Sequence, residues 1–103
     1  MEANLTEREL TFADNAKAGS LYGALNKNLQ AVEKCSGVTI HVRGTNLRIV
    51  GMLHAVEMVA DLLTQLYELI SRGYPVYSSD FAFGLRILES TPKARLDKIF
   101  LDK

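Results

Sequence analysis

Leu21-Tyr22-Gly23-Ala24-Leu25-Asn26-Lys27-Asn28-Leu29-Gln30-Ala31-Val32, running on through Gly37-Val38-Thr39-Ile40-His41-Val42-Arg43, is the stretch that decides the fold. Gly23 is a natural stop for a helix capped by Asp14 or Asn15 and running through Ala16, Lys17, Ala18, Ser20 and Leu21. A second helix starts at Asn26 or its neighbours: Leu29 and Val32 lie three apart on one face, and Lys27, Gln30, Glu33 and Lys34 point to water. Gly37 ends that helix, as a glycine with positive φ commonly does. Val38, Ile40 and Val42 then alternate with Thr39, His41 and Arg43, the period of a strand with one apolar face.

Arg43-Gly44-Thr45-Asn46 reads as a tight reversal, and Leu47 and Ile49 carry the apolar face back as the second arm of a hairpin. Upstream, Leu5, Leu10 and Phe12 among charged residues suit a half-buried edge strand over 6–12. After Gly51 comes the strongest helical pattern, with Val56, Val59, Ala60, Leu63, Leu66, Tyr67 and Ile70 spaced to pack on a sheet, ending at Arg72-Gly73. Pro75 breaks the chain, Ser79 or Asp80 caps a further short helix through Phe81, Leu85, Ile87 and Leu88, and Thr91-Pro92-Lys93 breaks it again. The sum is an α+β domain of order β-α-α-β-β-α, a three-stranded sheet with helices packed on one face, plus a short C-terminal helix.

With 103 residues, 48% of them apolar, the chain has the size of one domain with a modest core. Twelve basic and twelve acidic residues balance, so any polyanion site must come from local placement of charge. Cys35 has no internal disulfide partner and reads as a partly buried small side chain. Met1-Glu2-Ala3-Asn4 lacks the basic start and apolar run of a signal peptide, which points to a cytoplasmic protein. The greasy region 52–70 is interrupted by His54, Glu57, Asp61, Gln65 and Glu68, so no bilayer span is expected. His41 and His54 lack further ligands at metal spacing, and no Ser/His/Asp set or carboxylate pair suggests catalysis. Arg43, Arg48 and His41 form a small basic edge beside the reversal, while Tyr67 falls on the core stripe.

The glycine turn between two helices, followed by a strand, resembles the core of a KH domain, in which a helix-GxxG-helix-strand unit grips four nucleotides of single-stranded nucleic acid by their backbone. As a set, Leu10-Thr11-Phe12-Ala13-Asp14-Asn15, Leu21-Tyr22-Gly23, Asn28-Leu29, Glu33, Gly37-Val38, Arg43-Gly44, Gly51, Leu66-Tyr67 and Gly73 resemble the N-terminal domain of PhoH-like proteins, over roughly positions 9–90. That resemblance implies a KH-like domain of type I order placed before a P-loop ATPase linked to RNA metabolism. It divides the chain into an N-terminal tail (1–8), the KH-like domain (9–73), a C-terminal helical extension (74–91) and a linker (92–103) toward a downstream ATPase domain in cis. The chain holds no GxxxxGK[ST] segment, so ATP and magnesium are expected only for the ATPase domain that is missing here; no cofactor and no enzyme activity are expected of this chain.

In a KH motif two glycines flank two variable, often basic, residues so that backbone N–H groups and a helix N-terminus approach the phosphates. Gly23 matches the first glycine, Asn26 stands in the place of the second, and Ala24 and Leu25 replace the basic pair. Lys27 and Asn28 follow as one phosphate contact and one polar contact, with Arg43 on the strand across the groove. The resemblance therefore implies weak binding of single-stranded RNA by Gly23, Ala24, Leu25, Asn26, Lys27, Asn28 and Arg43. The alternative is a protein-interaction or homo-oligomerisation module that uses Phe81, Phe83 and Leu85 on the last helix and has lost RNA binding.

Overall fold

In the computed structural model, which describes residues 5–101, alternation has produced three strands: β1 (Leu5–Thr11), β2 (Thr39–Arg43) and β3 (Asn46–Met52). They form one antiparallel sheet in the order β1-β3-β2, so β1 is an edge strand as expected. Gly44-Thr45 is the two-residue link from β2 to β3. Gly44 has φ 59° and Thr45 does not have positive φ, the combination of a type II′ turn. Register sets Leu10 opposite Leu47 and Ile40 opposite Ile49, which gathers these side chains on one buried or half-buried face. Glu7, Glu9, His41, Arg43 and Arg48 fall on the other face and are exposed.

Helices α2 (Lys27–Ser36) and α3 (Leu53–Ser71) lie on the apolar face, and α1 (Asn15–Tyr22) packs against both. Asp14 caps α1, its Oδ1 accepting from the Lys17 N–H at 3.0 Å. Gly37 closes α2 at φ 81°, donating to the Glu33 carbonyl. Two further helices, α4 (Ser78–Ser90) on α2 and α3, and α5 (Leu96–Leu101) on α3, extend the same core. This explains a difference along α3: Leu62 and Leu69 are buried although they fall outside the expected stripe, whereas Tyr67 and Ile70 are half-buried. A helix packed on a sheet on one side and on other helices on the other buries more than one stripe. Leu62 meets α4 at Gly84, where an added Cβ would lie 2.6 Å from Leu62 Cδ1.

Three boundaries differ from the sequence expectation. Residues 1–4 of the expected tail lie outside the described residues, and 5–8 already belong to β1. The extension 74–91 shares the domain's core through Phe81, Leu85 and Leu88. Its helix begins at Ser78 with Tyr77 as N-cap, because the Asp80 carboxylate accepts the Tyr77 N–H at 2.8 Å rather than serving as the cap itself. The expected linker 92–103 is docked over its described part: Leu96 is fully buried, and Asp97 pairs with Arg72 and Arg95 at 3.4 Å each. Residues 102 and 103 lie outside the described residues. Among the described residues no helix is long and apolar enough to cross a membrane.

Gln65 is the latch for this docking. Its Nε2 donates to the Ala94 carbonyl at 3.1 Å and its Oε1 accepts from the Leu96 N–H at 2.7 Å. Gln65→Ala removes both, at an expected cost of about 1 to 3 kcal/mol. Hydrogen exchange checks it: the Leu96 amide should exchange faster in the variant, whereas unchanged protection there would show that α5 does not depend on the latch.

Candidate nucleic-acid interface

The turn between α1 and α2 is built around Gly23. Its φ of 81° and ψ of 171° lie in a region that is essentially glycine-only. Space is as restrictive as conformation, since a Cβ at this position would come within 2.7 Å of Asn28 Nδ2. Asn28 itself is buried, its Nδ2 donating to the Leu21 carbonyl at 3.1 Å and its Oδ1 accepting from Ser78 Oγ at 2.9 Å. The side chain expected to offer a polar contact to a ligand is turned inward, tying the end of α1 and the start of α2 to the start of α4. Burial accounts for this, because a buried amide is held where its hydrogen bonds are met.

Ala24, Leu25 and Asn26 form a single 3-10 turn in which two consecutive non-glycine residues are left-handed, Leu25 at φ 54° and Asn26 at φ 56°. Asparagine adopts this conformation comparatively easily; leucine does not. The Asn26 N–H donates to the Gly23 carbonyl at 3.0 Å, and Gln30 Nε2 donates to the Leu25 carbonyl at 3.3 Å. The Asn26 side chain makes no capping bond, so the N-terminus of α2 carries no side-chain cap, and Lys27 in its first position is exposed. Helix N-termini of this kind favour anions.

The turn is joined to the hairpin of β2 and β3. Tyr22 Oη donates to the Gly44 carbonyl at 2.9 Å, fastening the residue before Gly23 to the hairpin tip after Arg43. Glu33, expected to point to water, instead accepts the Ile40 N–H on Oε2 at 2.8 Å, which satisfies a donor that the edge strand leaves unpaired. Strand geometry repeats every two residues, so Val42 directs its N–H and C=O to the same outer edge as Ile40. Val42 also lies on the helix-facing side and is 38% exposed. Its placement is carried in sequence only by the alternation Val38-Ile40-Val42, and that of Tyr22 only by its position before Gly23.

Arg43 follows on β2 with its side chain on the open face of the sheet, opposite to the helix-facing side on which Val42 lies. There it joins His41 and Arg48 around a shallow depression of about 430 Å³ that also includes Glu9, Val42 and Asn46. Arg48 pairs with Glu7 at 3.2 Å and sits opposite Glu9, so the expected basic edge is balanced by two glutamates of β1. Cys35 is exposed rather than partly buried, and it borders a shallow pocket with Met58 of α3 and Ala82, Leu85, Arg86 and Glu89 of α4. Of the residues considered for protein contact, Phe81 and Leu85 are core and Phe83 is exposed, stacked on Phe100 with centroids 5.7 Å apart. Tyr74, Tyr77, Phe83, Ile99 and Phe100 border a cleft of about 520 Å³.

Burial pushes the Tyr22 phenol up from its ordinary value of 10.0, with the neighbouring Tyr67 adding to the shift. The raised folded-state value means that Tyr22's contribution to stability is complete below the unfolded value and is lost as pH climbs through the folded one. A phenolate also cannot donate to Gly44. Urea midpoints should therefore fall above about pH 10, and Tyr22→Phe should lose less over that range while costing about 0.5 to 1.5 kcal/mol near neutrality. An identical alkaline fall in both proteins would contradict this role for Tyr22. No family model matches the chain, and no solved structure matches it.

Proposed function

We propose that the chain is a KH-like module that binds single-stranded nucleic acid, RNA in particular, and that it serves as the N-terminal part of a PhoH-like ATP-binding protein in the cytoplasm. The element order β-α-α-β-β-α with the sheet order β1-β3-β2 supports a type I KH arrangement. The observation that carries the proposal is the strained turn 23–26, leading into the uncapped start of α2 and fastened by Tyr22 beside the outer edge of β2. A phosphate rests on the backbone N–H groups at the start of α2 with Lys27 beside it, and Arg43 adds charge from the open face of the sheet. Base edges meet the free N–H and C=O of Val42. Ala24 and Leu25 contribute no charge, and each missing charge-assisted phosphate contact is worth about 1.5 to 3 kcal/mol, which puts affinity in the micromolar range or weaker.

Fluorescence anisotropy with short single-stranded RNA over a salt series tests the proposal. Binding should weaken with salt on a shallow slope, because few cations release counterions. Lys27→Ala and Arg43→Ala should each weaken binding by about tenfold or more across sequences alike, as backbone contacts do. Absence of salt-dependent binding would overturn it. Balanced charge and the cleft bordered by Tyr74, Tyr77, Phe83, Ile99 and Phe100 favour the second reading, a protein-interaction or self-association module independent of RNA.

A further inference from the structure

We infer that the open face of the sheet is a self-association surface, on which a second copy of this chain stacks about a two-fold axis running along β3. To this face β1 contributes Glu7 and Glu9, β2 contributes His41 and Arg43, and Arg48 lies between them on β3. All five are exposed, so no element among the described residues covers them. The face therefore has an acidic side and a basic side, one on each edge strand. At one end of it Leu5 and Met52 stand side by side, 67% and 53% exposed, two large apolar side chains that the core does not use.

The distribution of charge selects the occupant. A polyanion laid across this face meets repulsion from Glu7 and Glu9, and a basic partner meets it from Arg43 and Arg48. A second copy brings both signs in reversed order. Charge also selects the symmetry, because an axis across the strands would lay β1 over β1 and set glutamates against glutamates. An axis along β3 lays β1 of each copy over β2 of the other, so that Glu9 faces His41 and Arg43, and it sets Met52 against Met52. Arg48 also comes to the axis, where Glu7 of its own chain, 3.2 Å away, already answers its charge. Glu9 and Arg43 are offset by about 7 Å along the strands. Side chains of their length span that offset between sheets stacked about 10 Å apart. Three strands about 4.8 Å apart make a face well below the ~800 Å² per partner of a stable interface, so the dimer is weak, with a dissociation constant on the order of 100 μM.

Sedimentation equilibrium of the chain without RNA, at concentrations up to about ten times that constant, tests the inference. Glu9→Arg and Arg43→Glu should each raise the dissociation constant by about tenfold or more, since each turns two attractions into two repulsions. An equal mixture of the two variants should associate again with the affinity of the parent, because one chain then carries only basic groups at these two positions and the other only acidic ones. Met52→Asp leaves those charges in place and should abolish association by setting like charges together on the axis, with thermal melts checking that each variant remains folded. A parent chain that stays monomeric throughout, or a mixture that associates no better than its components, would overturn the inference. Association that survives both reversals would also overturn it, by placing the contact elsewhere, such as the cleft beside Tyr77. RNA is absent throughout, so these outcomes are independent of the nucleic-acid function proposed above.

Discussion

Gly23→Ala is expected to destabilise the domain by about 2 to 5 kcal/mol, combining a glycine-only backbone conformation with an overpacked contact. The new Cβ would meet Asn28 at Nδ2 and Cγ, 2.7 and 2.9 Å away, so the amide must move. Moving it strains the bonds that join Asn28 to the Leu21 carbonyl and to Ser78 Oγ, and with them the attachment of α4. Urea denaturation followed by circular dichroism reads the effect as a lowered midpoint. A loss below about half a kcal/mol, less than any one of these effects is worth, would mean that Asn28 has somewhere else to go. Gly23→Asp carries the same burden, so any loss of RNA binding in that variant acts through the fold before it acts through charge. For that reason Lys27→Ala, an exposed substitution, is the cleaner probe of the proposed phosphate site.

Leu63→Ala should cost about 2 to 5 kcal/mol, because Leu63 is fully buried on α3, the helix on which the sheet, α1, α4 and α5 all pack. Its neighbour Thr64 is exposed, and Thr64→Ala should change stability by no more than about half a kcal/mol. Similar losses at both positions would mean that α3 is not rotated as described. With marginal stability of about 5 to 15 kcal/mol for a domain of this kind, the Leu63 variant should also lose a substantial part of its cooperative transition.

Local chemistry explains what was legible in the residues. Gly44 announces the hairpin because a two-residue link needs positive φ there, and Val38-Ile40 with Leu47-Ile49 aligns the apolar sides of its two arms. Asp14, Gly23 and Gly37 mark helix ends that local capping determines. The turn 23–26 was legible as a place, while the inward rotation of Asn28 was not: its partner Ser78 is fifty residues away in the chain, and no local pattern encodes that bond. The same holds for Glu33, whose helical position reads as solvent-facing until β2 brings an unpaired N–H beside it. The docking of α5 was hidden by charge, because Lys93, Arg95, Asp97 and Lys98 are interspersed with Ala94, Leu96 and Phe100, which pack on the core.

Backbone amide chemical-shift mapping of the chain with a short single-stranded RNA tests the central claim most directly. The expected result is a set of progressive shifts at Gly23, Leu25, Asn26 and Lys27 together with Val42 and Arg43, weakened by salt and by Lys27→Ala. Shifts confined to the surface around Tyr74, Tyr77 and Phe83, or no shifts at all, would contradict a nucleic-acid site at this turn.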